Sequence, residues 1–166
     1  MATIDQFKAN LIGGGPRANR FKVFIPRTGN KIEFLCKAAT IPGSSFGDIT
    51  VKHMGNTLKL PGDRAFEDWT VSIINDVNFE VRTGLEAHMN EIAGTADSRG
   101  STTLDYLVDR AFVEQLDKAV GVLARYEFFN MYPKSIAPIT LDYDAGGDSV
   151  ETFDTVFAFS HWERVV

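Results

Sequence analysis

The sequence predicts a mainly β fold, an antiparallel β-sandwich or barrel with one packed α-helix. Three observations predict it. Short runs that alternate apolar and polar residues recur along the chain, separated by Gly/Asn/Asp turn signals. One stretch, near residues 80–92, instead repeats its apolar residues at three- and four-residue steps. Thirteen phenylalanines among 166 residues suit pleated, half-buried surfaces.

Taken in order, Met1 to Asn10 has the composition of a short helix, and Gly13-Gly14-Gly15-Pro16 ends any regular element there. Residues 1–19 therefore read as a flexible arm. Arg20 to Pro26 sets Phe21, Val23 and Ile25 on one face, and Lys31 to Lys37 sets Ile32, Phe34 and Cys36 on one face. With Gly29-Asn30 between them, the two runs predict a β-hairpin. Ile41 to Gly47 has the composition of a loop. Ile49–Met54 and Thr57–Leu60 predict a second hairpin around Gly55-Asn56, closed by Pro61-Gly62-Asp63. Asp68 to Asn75 predicts a strand with Trp69, Val71 and Ile73 together.

Val81, Leu85, His88, Met89 and Ile92 mark the helix, with Asn78 as its N-cap, Glu80 in its first turn and Gly94 at its end. Thr95 to Thr103 is a polar loop, and Leu104 to Gln115 fits no single pattern. Val120 to Asn130 is a strand with Val122, Ala124, Tyr126 and Phe128 in step. Ile139–Tyr143 and Val150–Trp162 flank Ala145-Gly146-Gly147-Asp148 as a last hairpin. Both faces of that final run are apolar, so it needs cover on both sides.

Length bounds the organisation. A chain of 166 residues makes one domain, 1–166, and buries roughly 70% of its unfolded surface without a disulfide or metal staple. Apolar residues at 44% and charged residues at 23% exclude disorder and coiled coil. No run approaches the ~20 apolar residues of a membrane span, and Met1 to Asn10 lacks the apolar centre of a secretion signal. The single Cys36 excludes an internal disulfide and suits a reducing compartment.

The net charge of −5 hides an asymmetry. Residues 1–37 hold Lys8, Arg17, Arg20, Lys22, Arg27, Lys31 and Lys37 against Asp5 and Glu33, while the rest of the chain is acidic. A dominant basic face for nucleic acid is missing. The basic segment and acidic remainder read as an unevenly charged surface, or as opposite ends that meet between copies.

No catalytic constellation emerges. Gly43-Ser44-Ser45-Phe46-Gly47 matches the nucleophile-elbow pattern, which needs a strand before the serine and a helix after it. Here a β-like run follows, so the match reads as a glycine-serine loop. His53, His88 and His161 sit on separate elements without metal-ligand spacing. Cys36 alternates with Phe34 and Ile32 and reads as a small buried hydrophobe. Glu67 and Asp68 are adjacent, and neighbours on a strand point to opposite faces. Gly13-Gly14-Gly15 lacks the phosphate-loop ending. Neither a cofactor nor a metal is therefore expected. Asp142, Asp144, Asp148, Glu151 and Asp154 form an acidic patch that lacks the EF-hand ligand order. It reads as a solvated hairpin tip, with a salt-bridge partner for another copy or a phosphate-repelling lining as alternatives.

Several blocks resemble a known family. Phe34-Leu35-Cys36-Lys37-Ala38-Ala39-Thr40-Ile41-Pro42 is similar to the opening hairpin of T4-like contractile phage tail tube proteins. Leu60-Pro61-Gly62-Asp63-Arg64-Ala65-Phe66-Glu67-Asp68-Trp69-Thr70-Val71, then Asn75-Asp76, resembles the same family, and this block is the most specific. Tyr132-Pro133, Leu141-Asp142-Tyr143-Asp144, Thr152-Phe153 and His161-Trp162-Glu163 follow in the family's order.

The resemblance implies a structural virion protein rather than an enzyme. Its copies would form six-fold rings whose inner strands close into one large β-barrel, stacked head to tail into a tail tube. The implied partners are further copies, tail sheath, baseplate and tail terminator proteins, a tape-measure protein in the lumen, and double-stranded DNA passing without sequence-specific binding. The implied location is the virion, after assembly in the host bacterial cytoplasm. An extended loop and hairpin, residues 40–61, is expected to reach the adjacent ring or subunit. Candidate contacts are Gly43, Ser44, Ser45, Phe46, Gly47, His53, Asn56, Asp63, Arg64 and Asp68, with Asp63 or Asp68 pairing with Arg64 or with a neighbour's basic residue. Trp69 and Trp162 are expected in the core or an interface. The rival readings are a tube subunit of a tailocin or type VI-like injection system, and a monomeric β-sandwich binding module.

Overall fold

A computed structural model describes residues 3–28, 31–96, 99–144 and 150–166. A short helix, α1 (Ile4–Asn10), opens the described chain and begins with a capping box between Thr3 and Gln6. Ten strands follow, all paired antiparallel: β1 (Phe21–Phe24), β2 (Cys36–Ala39), β3 (Ser44–His53), β4 (Asn56–Phe66), β5 (Trp69–Ile74), β6 (Ala111–Leu116), β7 (Val122–Phe129), β8 (Tyr132–Ile136), β9 (Thr152–Ala158) and β10 (His161–Arg164). A helical turn, α2 (Ile32–Leu35), precedes β2, and the main helix, α3 (Glu80–Ile92), lies between β5 and β6.

The strands make two four-stranded sheets, in the orders β1-β6-β7-β10 and β2-β5-β9-β8, and a separate two-stranded ribbon, β3-β4. Alternation explains the core. Val23, Val113 and Phe128 from the first sheet meet Trp69, Val71, Ile73, Phe153 and Phe157 from the second. Trp69 stacks on Phe128 at 4.4 Å, and its indole N–H donates to the Thr40 carbonyl at 2.7 Å. Helix α3 adds Val81 and Leu85 to the same cluster. The expected mainly β, antiparallel sandwich with a packed helix is therefore the observed fold.

Several elements differ from the sequence-based expectation, each for a local reason. The first hairpin does not form. Pro26 cannot extend a ladder, and Arg27 turns the chain with φ 72° while its guanidinium bonds Glu91 and the Asp105 carbonyl. Strand β1 then pairs with β6, and β2 joins β5 in the other sheet. Ile32 is fully buried by the α2 turn, whereas Phe34 points outward. The expected turn at Gly29-Asn30 lies outside the described residues.

Asn78 is not the N-cap of α3. Phe79 precedes the helix with φ 54°, and the Asp76 carboxylate accepts the Glu80 backbone N–H at 3.0 Å. At the other end Ala93 is the C-cap and Gly94 follows it directly, where the helix was expected to end.

Ile139–Tyr143 forms no strand. Its expected place is taken by β8, which the prolyl residue Pro133 obscured in the sequence. A bulge between Pro133 and Ser135 lets this edge strand pair with β9. The run Val150–Trp162 is two strands, because the chain crosses between sheets at Phe159-Ser160, where the Ser160 N–H donates to the Phe129 carbonyl.

Candidate assembly interface

The β3-β4 ribbon presents one apolar face. Its register sets Ile49 opposite Leu60 and Val51 opposite Leu58, so these four side chains share a face. Thr50 opposite Lys59 and Lys52 opposite Thr57 form the other, polar face, where Lys59 also pairs with Asp48 at 3.0 Å. The bulge between Phe46 and Asp48 puts its extra residue on β4, so Phe46 stays in step with Asp48 and Thr50 on the polar face, opposite Arg64. Phe66 continues that side and meets Phe159 and Trp162, each at 6.2 Å. The apolar row of Ile49, Val51, Leu58 and Leu60 thus occupies the outer part of the ribbon, while Phe46 and Phe66 lie on its other face toward the sandwich.

This face is bare in the single chain. Ile49, Val51, Leu58 and Leu60 are between 43% and 59% exposed, and Met54 at the tip is 90% exposed. Isolated exposed apolar residues are ordinary, but an aligned row of them marks a surface that another protein covers.

Two glycines permit the geometry. Met54 and Gly55 both have positive φ, 46° and 83°, as a two-residue hairpin turn requires. At Gly62 a Cβ would come within 3.0 Å of the Gly47 carbonyl oxygen. The turn is therefore Met54-Gly55, with His53 and Asn56 as its closing pair, rather than Gly55-Asn56. Pro61-Gly62-Asp63 does not close the hairpin, and residues 44–47 are not a loop. Instead Pro61–Phe66 pairs with Ser44–Asp48 and lengthens the ribbon.

The candidate contacts named from sequence fall mostly on this element. Ser44 pairs with Phe66 and Ser45 with Ala65, so Ser45 lies within a strand ladder rather than on a strand-to-helix elbow. Gly43 precedes β3, and its carbonyl accepts the Trp162 indole N–H at 3.3 Å. Asp63 and Arg64 lie on β4, while Asp68 lies just beyond it. Arg64 makes no ion pair among the described residues. Its guanidinium sits 5.1 Å over the Phe46 ring and 5.8 Å over Phe66. Asp68 pairs with Lys134 at 2.6 Å, which raises the Lys134 pKa through their hydrogen bond. The apolar side chains themselves were missed, although the alternation on both sides of a tight turn carried the signal.

The acidic patch is divided. Asp142 accepts the Asp144 backbone N–H at 2.9 Å in one turn. Glu151 accepts from Asn75 at 3.0 Å and Asp154 from Ser72 at 2.5 Å, both beside β5. Asp148 lies outside the described residues. Much of the basic segment is neutralised within the chain, as Lys22 pairs with Glu33, Arg27 with Glu91, and Lys31 with Glu80 and Asp76.

Cys36 is half-buried, and burial pushes its thiol up to about 11. His88 is buried with its Nε2 2.6 Å from the Tyr106 carbonyl, and burial lowers its pKa. His161 stacks on Phe129 at 4.7 Å. Histidines bound up in such packing fit structural roles.

Fold and ribbon together define a structural β-sandwich protein with a projecting amphipathic ribbon. A family profile of phage tail tube proteins matches residues 16–165, and the chain belongs to that family. It is 28% identical to tail tube protein gp19 of Enterobacteria phage T4 over 160 residues, covering 96% of this chain and 98% of that protein. It is 27% identical to the tail tube protein of Serratia phage KSP90, covering 87% and 88%.

The fold is also shared with a chain from the sheath/tube terminator of an extracellular contractile injection system in its extended state. That likeness has a TM-score of 0.68 at 15% identity, covering 93% of this chain and 99% of the other. A chain of the sheath-tube complex of such a system gives a TM-score of 0.60 at 15% identity, covering 99% and 98%. Membership makes this chain a structural component of a phage tail and not an enzyme. Among the described residues no helix is long and apolar enough to cross a membrane.

Proposed function

We propose that this chain is the subunit of the inner tail tube of a contractile-tailed bacteriophage. Six copies form a ring, rings stack head to tail, and the hollow tube conducts genomic DNA into the host. Assembly takes place in the host cytoplasm on a baseplate and around a tape-measure protein. Sheath encloses the tube and a terminator protein caps it.

The observation that carries this reading is the bare apolar face of the β3-β4 ribbon, made of Ile49, Val51, Leu58 and Leu60. Half-exposed side chains of this kind gain roughly 1 kcal/mol each when covered. Four of them fall short of the several kcal/mol that association costs a lone pair of subunits. Six such contacts made together around a ring exceed it through their linkage. Assembly is accordingly cooperative and needs a nucleus. Edge pairing gives the ring a second contact, since each four-stranded sheet ends in strands with unpaired edges. Closing these edges around a ring removes an aggregation hazard and makes a continuous barrel. A heterologous ribbon contact from ring to ring does not close, so it propagates a filament. The candidate contacts from Gly43 to Arg64 serve that ring-to-ring role, with residues 1–19 as an arm.

Identity of 28% to phage proteins, against 15% to the injection-system chains, favours a phage tube over a tailocin or type VI-like tube. Negative-stain electron microscopy of the purified protein over a concentration series, with light scattering and then with added baseplate, tests the reading. Six-fold rings or hollow tubes are expected. A strict monomer that stays monomeric on baseplate contradicts the tube and favours a binding module.

A further inference from the structure

Three cations that make no ion pair among the described residues gather around one cavity. The cavity, of about 310 Å³, lies where β1 begins and β6 turns into β7, with Gly13, Gly15 and Pro16 of the arm along one side. Leu116 and Leu123 supply apolar lining, and Leu123 is the extra residue of the bulge in β7. Arg17, Arg20 and Lys118 are the cations. Arg20 donates to the Asp117 carbonyl at 3.2 Å. The Asp117 carboxylate also lines the cavity, but it already accepts the Ala119 and Gly121 backbone N–H groups, both at 2.7 Å. Three cations less one carboxylate leave the cavity with a net charge of +2.

A segment of matching chemistry is bare elsewhere on the chain. Leu141-Asp142-Tyr143-Asp144 follows β8, the edge strand of the other sheet, and alternates apolar and acidic residues. Leu141 is 78% exposed and Tyr143 fully exposed. Neither Asp142 nor Asp144 has a cation partner among the described residues, and Asp142 accepts only the Asp144 backbone N–H. Bare apolar side chains beside uncompensated carboxylates suit a partner that is basic and apolar-lined.

Resting on the reading that copies of this chain assemble, we infer that the cavity at Arg17, Arg20 and Lys118 receives the Leu141–Asp144 segment of a second copy. The apolar side chains of the segment meet Leu116 and Leu123, and its two carboxylates balance the +2 of the cavity. The two patches differ, so the contact is heterologous and repeats from copy to copy instead of closing in a pair. It is separate from the ribbon, since none of these residues lies on β3 or β4.

Charge exchange in the full chain is the test. Lys118→Glu and Asp144→Lys, made separately, should each raise the lowest protein concentration that gives tubes by about tenfold or more, because charge pairs across an interface are coupled. Both substitutions in one chain should recover most of that loss. Lys118 and Asp144 are exposed in the single chain, so the melting temperature of the subunits should stay at the wild-type value. Single variants that assemble at the wild-type concentration would overturn the inference, as would a double variant no better than the worse single one. A fluorescently labelled peptide of residues 139–144 gives a readout that needs no tubes. By fluorescence anisotropy it should bind wild-type subunits saturably, and Lys118→Glu subunits about tenfold or more weakly. No saturable binding, or equal binding to both, would overturn the inference. Failure of the wild-type chain to form tubes is seen separately by microscopy and counts against the tube reading, while the peptide result still decides this contact.

Discussion

Trp69 and Phe128 stack with ring centroids 4.4 Å apart and an interplanar angle of 27°, which clamps the two sheets face to face. Both side chains are fully buried. Trp69→Ala should cost about 3–5 kcal/mol, because it opens a large cavity at the centre of the sandwich. Trp69→Phe keeps an aromatic contact but loses the indole bond to the Thr40 carbonyl, so it should cost less. Urea denaturation followed by tryptophan-independent circular dichroism measures both.

Thr155 is fully buried on β9, and its hydroxyl finds no hydrogen-bond partner among the described residues. An unpaired buried hydroxyl costs about 1–3 kcal/mol. Thr155→Val keeps the shape and removes the polar atom, so it should leave the melting temperature unchanged or raise it. A clear drop in melting temperature would mean that the hydroxyl has a partner.

His88 gives stability a pH dependence. Burial is the largest effect and lowers its pKa from 6.5. The Tyr106 carbonyl bond raises it, Arg27 lowers it and Glu91 raises it. The unfolded chain therefore takes up a proton at a higher pH than the folded chain does. The His88 contribution is fully present above about pH 6.5 and is lost as pH falls through the depressed folded value. His88→Gln, which still offers a donor to the Tyr106 carbonyl, should flatten this part of the stability–pH curve measured by urea titration.

The ribbon separates folding from assembly. Val51→Lys combined with Leu58→Lys alters residues that are exposed in the single chain, so monomer stability should change by less than about 0.5 kcal/mol. Tube formation should be lost. Deleting Ser44–Gly47 removes the ribbon root and its bulge, and should likewise abolish tubes while leaving a folded sandwich. Ser45→Ala should assemble normally, as expected of a residue in a strand ladder.

Much of the fold was legible because period reports burial. Trp69, Val71 and Ile73 alternate and are buried, and the spacing of Val81, Leu85 and His88 marks the helix face that packs. What failed was pairing, which depends on distant partners. Phe21–Phe24 reads as half of a local hairpin, yet its ladder lies with Phe112–Gln115, about ninety residues on. Prolines misled in both directions. Pro61 reads as a stop but sits inside an exposed ribbon strand, and Pro133 hid an edge strand. The alternation through Phe157 and Phe159 continues across a change of sheet, so one run concealed two strands. The ribbon was legible as an arm, but its apolar face required the register.

On the proposed function, copies of this chain meet through the ribbon in a tube. Cryo-electron microscopy of assembled material tests it most directly. A helical tube of six-fold rings is expected, in which Ile49, Val51, Leu58 and Leu60 are covered by a neighbouring copy. A tube in which those four side chains stay in solvent, or no tube at all in the presence of baseplate, would contradict it.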